Sequence, residues 1–257
     1  MSGRTASGRG PGAALILLAA GNGQRSGHAT NKVLLPLAGR RVFTWSLDWT
    51  APVHEITHTV LVVRESDRTA AAAVLAKESP RRDITIVSGG NERHDSEWAG
   101  LVAVSRAIRA GEVDVVVIHD AARPLAGSEL FRQVIAAARE HGGALPGRSV
   151  VGLLPRANPN GTRAHVGAAG ATPTVAVQTP QAFRAEPLLD AYEAAAREGF
   201  IGSDTASCIE RFADIEIAYL HGEAHNIKIT FPEDLFVAER LLARSGFSLP
   251  RRGWRSR

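Results

Sequence analysis

Short, solid apolar runs alternate along the chain with longer stretches in which apolar residues recur every three or four positions. The first run, AALILLAA (Ala13 to Ala20), is apolar at every position, as a strand buried on both faces must be. THTVLVV (Thr57 to Val63), ITIVSGG (Ile84 to Gly90) and VDVVVI (Val113 to Ile118) predict three more strands. Between and after them the pattern predicts helices. VFTWSLDWTA (42–51) places Phe43 and Leu47 four apart, and DRTAAAAVLAKE (67–78) has an Asp near its start and an Ala-rich interior. DSEWAGLVAVSRAIRAG (95–111) has Asp95 or Ser96 as a cap and Gly111 as a stop, and SELFRQVIAAAREHGG (128–143) has a Ser cap and a Gly stop.

The pattern breaks between about residues 150 and 178. This segment is rich in Gly, Pro, Ala and Thr and reads as an exposed loop or as a two-stranded arm with NPNG at its tip. Beyond it a helix is expected from about Pro187 to Glu198, a short one from Asp204, and a strand in IEIAYLHG. The last helix, PEDLFVAERLLARSG, has Pro at its start and acids in its first turn. Alternation of strand and helix predicts an α/β fold: a mostly parallel twisted sheet with helices on both faces. In such sheets ligands bind at the carboxyl ends of strands. Three polar clusters, around Gly21, Gly90 and Asp120, each follow a predicted strand and converge on one expected site. The expected organisation is a basic head (1–12), a single domain (13–245) carrying the arm at about 150–178, and a basic tail (246–257).

Charge at first points elsewhere. The 257 residues carry a formal charge of +4, which suggests a polyanion partner. Two arginines, Arg4 and Arg9, lie in the head, and four, Arg251, Arg252, Arg255 and Arg257, lie in the tail. Without these six, 24 basic residues face 26 acidic ones, so the body is slightly acidic. Nucleic-acid binding is therefore not expected. Cys208 is the only cysteine, which excludes an intrachain disulfide and fits a reducing, cytoplasmic setting; it reads as a small buried hydrophobe. No apolar run is long enough to span a bilayer, so no membrane role is expected.

The clusters offer chemistry of their own. Backbone N–H groups in the Gly-rich turn of LAAGNGQRSG can cradle phosphate oxygens, with Arg25 and Lys32 adding positive charge. The loop is neither a P-loop nor GxGxxG, and an ordinary strand-to-helix turn reads about as well. In HDAARP, Asp120 can orient a metal-bound water or a sugar hydroxyl and Arg123 can clamp a phosphate; equally, Asp120 can cap the next turn and pair with Arg123. GGNERHDS offers close backbone approach and a donor in Ser96, or a helix cap. In NIKIT, Lys228 sits between two isoleucines, either snorkelling or held toward an anion. His119, His165, His221 and His225 show no zinc-ligand spacing, and no Ser-His-Asp constellation is visible. What remains is phosphate chemistry without a protein nucleophile: positioning, charge neutralisation and a divalent metal.

Five segments, LAAGNGQRSG…NKVLLPLAGRRV, GGNERHDS, HDAARP, QTPQAF and NIKITFPEDL, occur in an order that resembles the 2-C-methyl-D-erythritol 4-phosphate cytidylyltransferase family. The ribitol-5-phosphate cytidylyltransferases are similar. The resemblance spans about Leu15 to Leu242. It implies a Rossmann-like nucleotidyltransferase fold, a homodimer formed through the arm, CTP as co-substrate and Mg²⁺. A polyol phosphate would attack the α-phosphorus of CTP and release pyrophosphate. By motif, Ala19, Ala20, Gly21, Gly23 and Arg25 would line the triphosphate, and Lys32 would bridge phosphates. Gly90, Asn91 and Ser96 would read cytosine and ribose. Asp120 and Arg123 would lie near the polyol phosphate and metal, with Asp120 as metal ligand, and Lys228 would stabilise the transferring phosphate. The chain departs from the pattern at several places. Asn91 stands where the family commonly has Asp. TNK replaces PK before Lys32. RANPNG (156–161) and GAAGATP, around Ala157 and Ala171, lack the family's Thr and Arg for the acceptor phosphate. Methylerythritol phosphate is the default acceptor, with ribitol 5-phosphate, another phosphorylated or phosphonylated alcohol, or a non-catalytic nucleotide-binding role as alternatives.

Overall fold

The computed structural model describes residues 10–21, 31–150, 175–202 and 204–244. Strand β1 (Gly12–Leu18) is an interior strand of the main sheet. A two-residue hairpin follows, β2 (Pro36–Leu37) and β3 (Arg40–Arg41), turning through Ala38 and Gly39, both at positive φ as such tight turns require. Helix α1 (Val42–Thr50), β4 (Ile56–Val63), α2 (Arg68–Glu78), β5 (Thr85–Ser88), α3 (Arg93–Arg109), β6 (Val113–Asp120) and α4 (Ser128–His141) then alternate as expected. After β7 (Gly142–Ser149) the description resumes with β8 (Val175–Val177), β9 (Gln181–Arg184), α5 (Ala185–Glu198), α6 (Thr205–Phe212), β10 (Glu216–His221) and α7 (Pro232–Arg244).

The main sheet has the order β10-β7-β9-β6-β1-β4-β5, with β8 paired to β7. β6, β1, β4 and β5 run parallel; β9 inserts antiparallel between β6 and β7; β10 is parallel to β7. Side chains alternate across β1 and seed two cores. Ala14 and Ile16 face Leu101, Val104, Leu188 and Tyr192 from α3 and α5. Ala13 and Leu15 face Phe131 and Val134 from α4, while Leu17 faces Phe43 and Leu47 from α1. Helices thus cover both faces, as the apolar character of the strands demands.

Three features differ from the sequence reading. Helix α3 begins at Arg93, two residues before the expected start, because Asp95 caps backward: it accepts from the Glu92 N–H at 3.1 Å. Ser128 does not cap α4 but opens it, donating its hydroxyl to the Trp49 carbonyl at 2.5 Å. The β2–β3 hairpin and strands β7 and β9 have no counterpart among the expected elements. GGALPGRS is full of residues that strands avoid, and its ladders to β9 and β10 come from distant chain segments. Of the expected arm at about 150–178, residues 151–174 lie outside the described residues, as do the head through residue 9 and the tail, and its last residues form β8.

Helix α3 rests directly on β1 at Gly100, where a Cβ would stand 2.4 Å from the buried Ile16 Cγ2. In an open helix interior Gly→Ala stabilises by about 1 kcal/mol. Here overpacking outweighs propensity, and Gly100→Ala is expected to destabilise by about 1–3 kcal/mol. A urea midpoint equal to or above that of the unaltered protein would refute this packing.

Candidate functional site

The carboxyl ends of β1, β5 and β6 open into a cavity of about 500 Å³, within the usual range for small-molecule sites. Ala19, Ala20 and Gly21 continue from β1, Gly90 and Asn91 from β5, and Asp120 ends β6; all six line the cavity, with Ser96, Lys32 and Lys228. Loop contact is close. A Cβ on Gly89 would meet Ser96 Oγ at 2.6 Å and Ala20 Cβ at 2.7 Å, so the two loops can touch only through glycine. Gly23 and Arg25 lie outside the described residues.

Asn31, in the TNK departure, organises the loop that presents Lys32. It is buried, and its amide nitrogen donates to the Ala19 carbonyl at 2.8 Å and to Asp67 Oδ2 at 2.9 Å. Burial works against ionisation of Asp67, but Arg64, at 2.6 Å, and Asn31 hold its carboxyl below its ordinary value. The β1 loop and the Lys32 turn are thereby tied to the start of α2.

Asp120 is the electrostatic centre. Its side chain is almost wholly buried; Oδ1 accepts from Arg93 Nη1 at 2.5 Å and Oδ2 from Lys228 Nζ at 2.6 Å. Burial alone would raise its pKa. The charges of Arg93 and Lys228, with their hydrogen bonds, outweigh that and hold the carboxyl far below the usual carboxylate range. Arg93 in turn stands 2.8 Å from Oε1 of Glu97, which is fully buried.

Lys228 lies in irregular chain that is fixed on both sides. Asn226 donates to the Thr179 carbonyl at 2.9 Å, the Ile229 N–H donates to the Ala122 carbonyl at 2.8 Å, and Asp234 of α7 accepts from the Thr230 and Phe231 N–H groups. Arg123 does not line the cavity. Its Nη1 donates to the Asn226 carbonyl at 2.8 Å, and its Nε is 4.0 Å from Asp120 Oδ2, so in this structure it braces the Lys228 segment.

His119 links these parts. It is fully buried against Phe131, and burial above all pushes its imidazole down to about 4, against the opposing pull of Asp120. The ring is therefore neutral at pH 7. Nε2 is 3.1 Å from the Arg123 carbonyl, which can only accept, so Nε2 carries the proton. Nδ1 then accepts from the Thr179 hydroxyl at 3.0 Å, and that hydroxyl accepts from the Asp120 N–H at 3.0 Å.

A family model described as IspD, 2-C-methyl-D-erythritol 4-phosphate cytidylyltransferase, matches residues 13–244. The chain belongs to this family. Relatives bearing the same name from Geobacillus kaustophilus and Rhodopirellula baltica are each 35% identical, covering 89% of this chain and 96% and 93% of their own lengths. The solved 4-diphosphocytidyl-2C-methyl-D-erythritol synthase of Anaerococcus prevotii superposes with a TM-score of 0.73 at 28% identity, covering 91% of this chain and 97% of its own. The 2-C-methyl-D-erythritol 4-phosphate cytidylyltransferase of Thermus thermophilus gives 0.64 at 27%, covering 89% and 98%.

Sequence reasoning missed Asn31, Arg93, Glu97, Thr179 and Asn226. A signal existed for Glu97: it shares a helical face with Leu101, Val104 and Ile108, so a charge falls on the buried side of α3. For the others the partners are distant in sequence and no local pattern marks them.

The depressed folded-state pKa of His119 gives a stability term with a definite sign. The unfolded imidazole titrates near 6.5 and the folded one near 4. The term is complete above pH 6.5 and is lost as pH falls through 4, by roughly 3 kcal/mol. His119→Asn, less stable at pH 7, should lack this loss. Denaturant titrations at pH 7, 5.5 and 4 test it, and parallel pH profiles for the two proteins would refute it.

Proposed function

We propose that the cavity binds CTP and that the chain transfers its CMP moiety to 2-C-methyl-D-erythritol 4-phosphate with release of pyrophosphate, a step of isoprenoid precursor synthesis. Membership of a cytidylyltransferase family makes the chain a nucleotidyltransferase. The observation that carries the reading is the cavity at the strand ends, where Lys32 and Lys228 face a space bounded by the backbone of Ala19, Ala20 and Gly21. A phosphate oxygen of the acceptor forms a bond to the α-phosphorus, and the bond to the β-phosphate oxygen breaks. Negative charge grows on the phosphoryl oxygens as this happens. Cations already fixed in place stabilise it without reorganisation.

Lys228 is pre-aimed by Asp120, and Lys32 by the Asn31 turn. Gly90, Asn91 and Ser96 are assigned to the nucleoside, and Arg25 joins the triphosphate side. The donor set suits a metal that arrives with the nucleotide. Mg²⁺ is commonly held by one or two carboxylates plus substrate phosphates. Asp120, the buried carboxylate of the cavity, keeps lone pairs beyond its hydrogen bonds to Arg93 and Lys228. When bound, Mg²⁺ would neutralise phosphate charge beside Asp120. We assign the working form to a homodimer joined through the arm and its location to the cytoplasm; among the described residues no helix is long and apolar enough to cross a membrane.

Pyrophosphate release from CTP and Mg²⁺ should occur with 2-C-methyl-D-erythritol 4-phosphate and not with ribitol 5-phosphate. The opposite preference would reassign the acceptor, and CTP binding without turnover on either would leave only a nucleotide-binding role. Lys32→Ala and Lys228→Ala should each lower kcat by about 10²-fold or more, the scale of losing one transition-state donor. Unchanged turnover in either would overturn its assignment.

A further inference from the structure

Glu97 neither lines the cavity nor touches Asp120, yet the geometry points to it as a positioning residue for catalysis; this rests on the reading just given. The carboxylate is fully buried on α3 and has partners from three elements. Tyr192 of α5 donates its hydroxyl to Oε2, Thr205 of α6 donates to Oε1 at 2.8 Å, and Arg93 Nε stands 2.8 Å from Oε1. Burial raises the carboxyl's pKa above its ordinary value against the opposing pull of Arg93 and the two hydroxyls, and it is the contacts themselves, a guanidinium and two O–H donors on its oxygens, that suit a carboxylate. Tyr192, its phenol pushed far up by burial and by Glu97, keeps its proton to donate.

Arg93 is therefore shared. Its Nε stands 2.8 Å from Glu97 Oε1 as an ion pair without an aligned hydrogen bond, and its Nη1 donates to Asp120 Oδ1, while Lys228 takes Oδ2. The guanidinium is planar and rigid, so fixing one edge fixes the direction of the other. Glu97 thus limits Arg93 to one oxygen of Asp120 and leaves the second for Lys228. Without Glu97, the guanidinium is free to turn two parallel N–H groups onto both Asp120 oxygens, the bidentate form that arginine and carboxylate favour. Lys228 would then lose the contact that aims it into the cavity. Glu97 acts through Arg93 and Asp120 on the placement of Lys228.

The test is a double-mutant cycle on the full chain, read as pyrophosphate release with CTP, Mg²⁺ and 2-C-methyl-D-erythritol 4-phosphate. Glu97→Gln keeps the side-chain shape and removes the charge. It should lower kcat by about tenfold and leave KM for CTP within about twofold. In the Lys228→Ala background the same substitution should change kcat by less than about twofold, because the group it positions is gone. Tyr192→Phe, which keeps the packed ring, should give a smaller loss that likewise vanishes without Lys228, and it serves if Glu97→Gln fails to fold. Equal losses in both backgrounds, or a kcat unchanged by Glu97→Gln, would show that Glu97 only fastens α3 to α5 and α6. An inactive unsubstituted protein would instead overturn the proposed function.

Discussion

One buried carboxylate organises the cavity. Asp120 ends a strand in the middle of the sheet, and a bare negative charge there would be strongly unfavourable. Arg93 and Lys228 make it tolerable, and each comes from a different part of the chain. Removing one partner from such a buried pair typically costs about 3–5 kcal/mol. The need to neutralise Asp120 therefore fixes the start of α3 and the irregular segment after β10 against the end of β6. The two cations that meet there are directed by that need before any ligand arrives.

The architecture supplies the place. Parallel strands end together at one edge, so the loops after β1, β5 and β6 share a rim. Glycine at residue 89 lets two of these loops touch. The antiparallel insertion of β9 has a separate use: Thr179, just before it, meets both the Asp120 N–H and the His119 ring. His119 passes that restraint to the Arg123 carbonyl, and the Arg123 side chain carries it on to Asn226, two residues before Lys228. The HDAARP, QTPQ and NIK segments are thus one hydrogen-bonded unit, although some 60 residues separate the first two and 48 separate Gln178 from Asn226.

Much of the candidate site was legible in the sequence because its residues follow apolar strands. Gly21, Gly90, Ser96, Asp120 and Lys228 were marked by the polar clusters themselves and Ala19, Ala20 and Asn91 by the family resemblance, and all line the cavity. Arg123 was marked for the same reason, yet its side chain bonds to backbone outside the cavity lining. A position after a strand says where the backbone goes and not where a long side chain ends. Arg93 and Glu97 show the reverse case. The helical face that Glu97 shares with Leu101, Val104 and Ile108 points to burial of its charge, but only the packing of α5 and α6 onto α3 supplies the hydroxyl partners that meet it there.

The alternation of strands and helices, the burial of both sheet faces and the clustering of polar residues at strand ends were all legible along the chain. These follow from hydrophobic period and turn chemistry, which are local. Tertiary structure alone decided the Gly- and Pro-rich β7, the antiparallel β9 and the partners of Asp120. Those depend on ladders and ion pairs between residues far apart in the chain, where the energy of a contact exists only once the fold has brought the two groups together and taken both out of water.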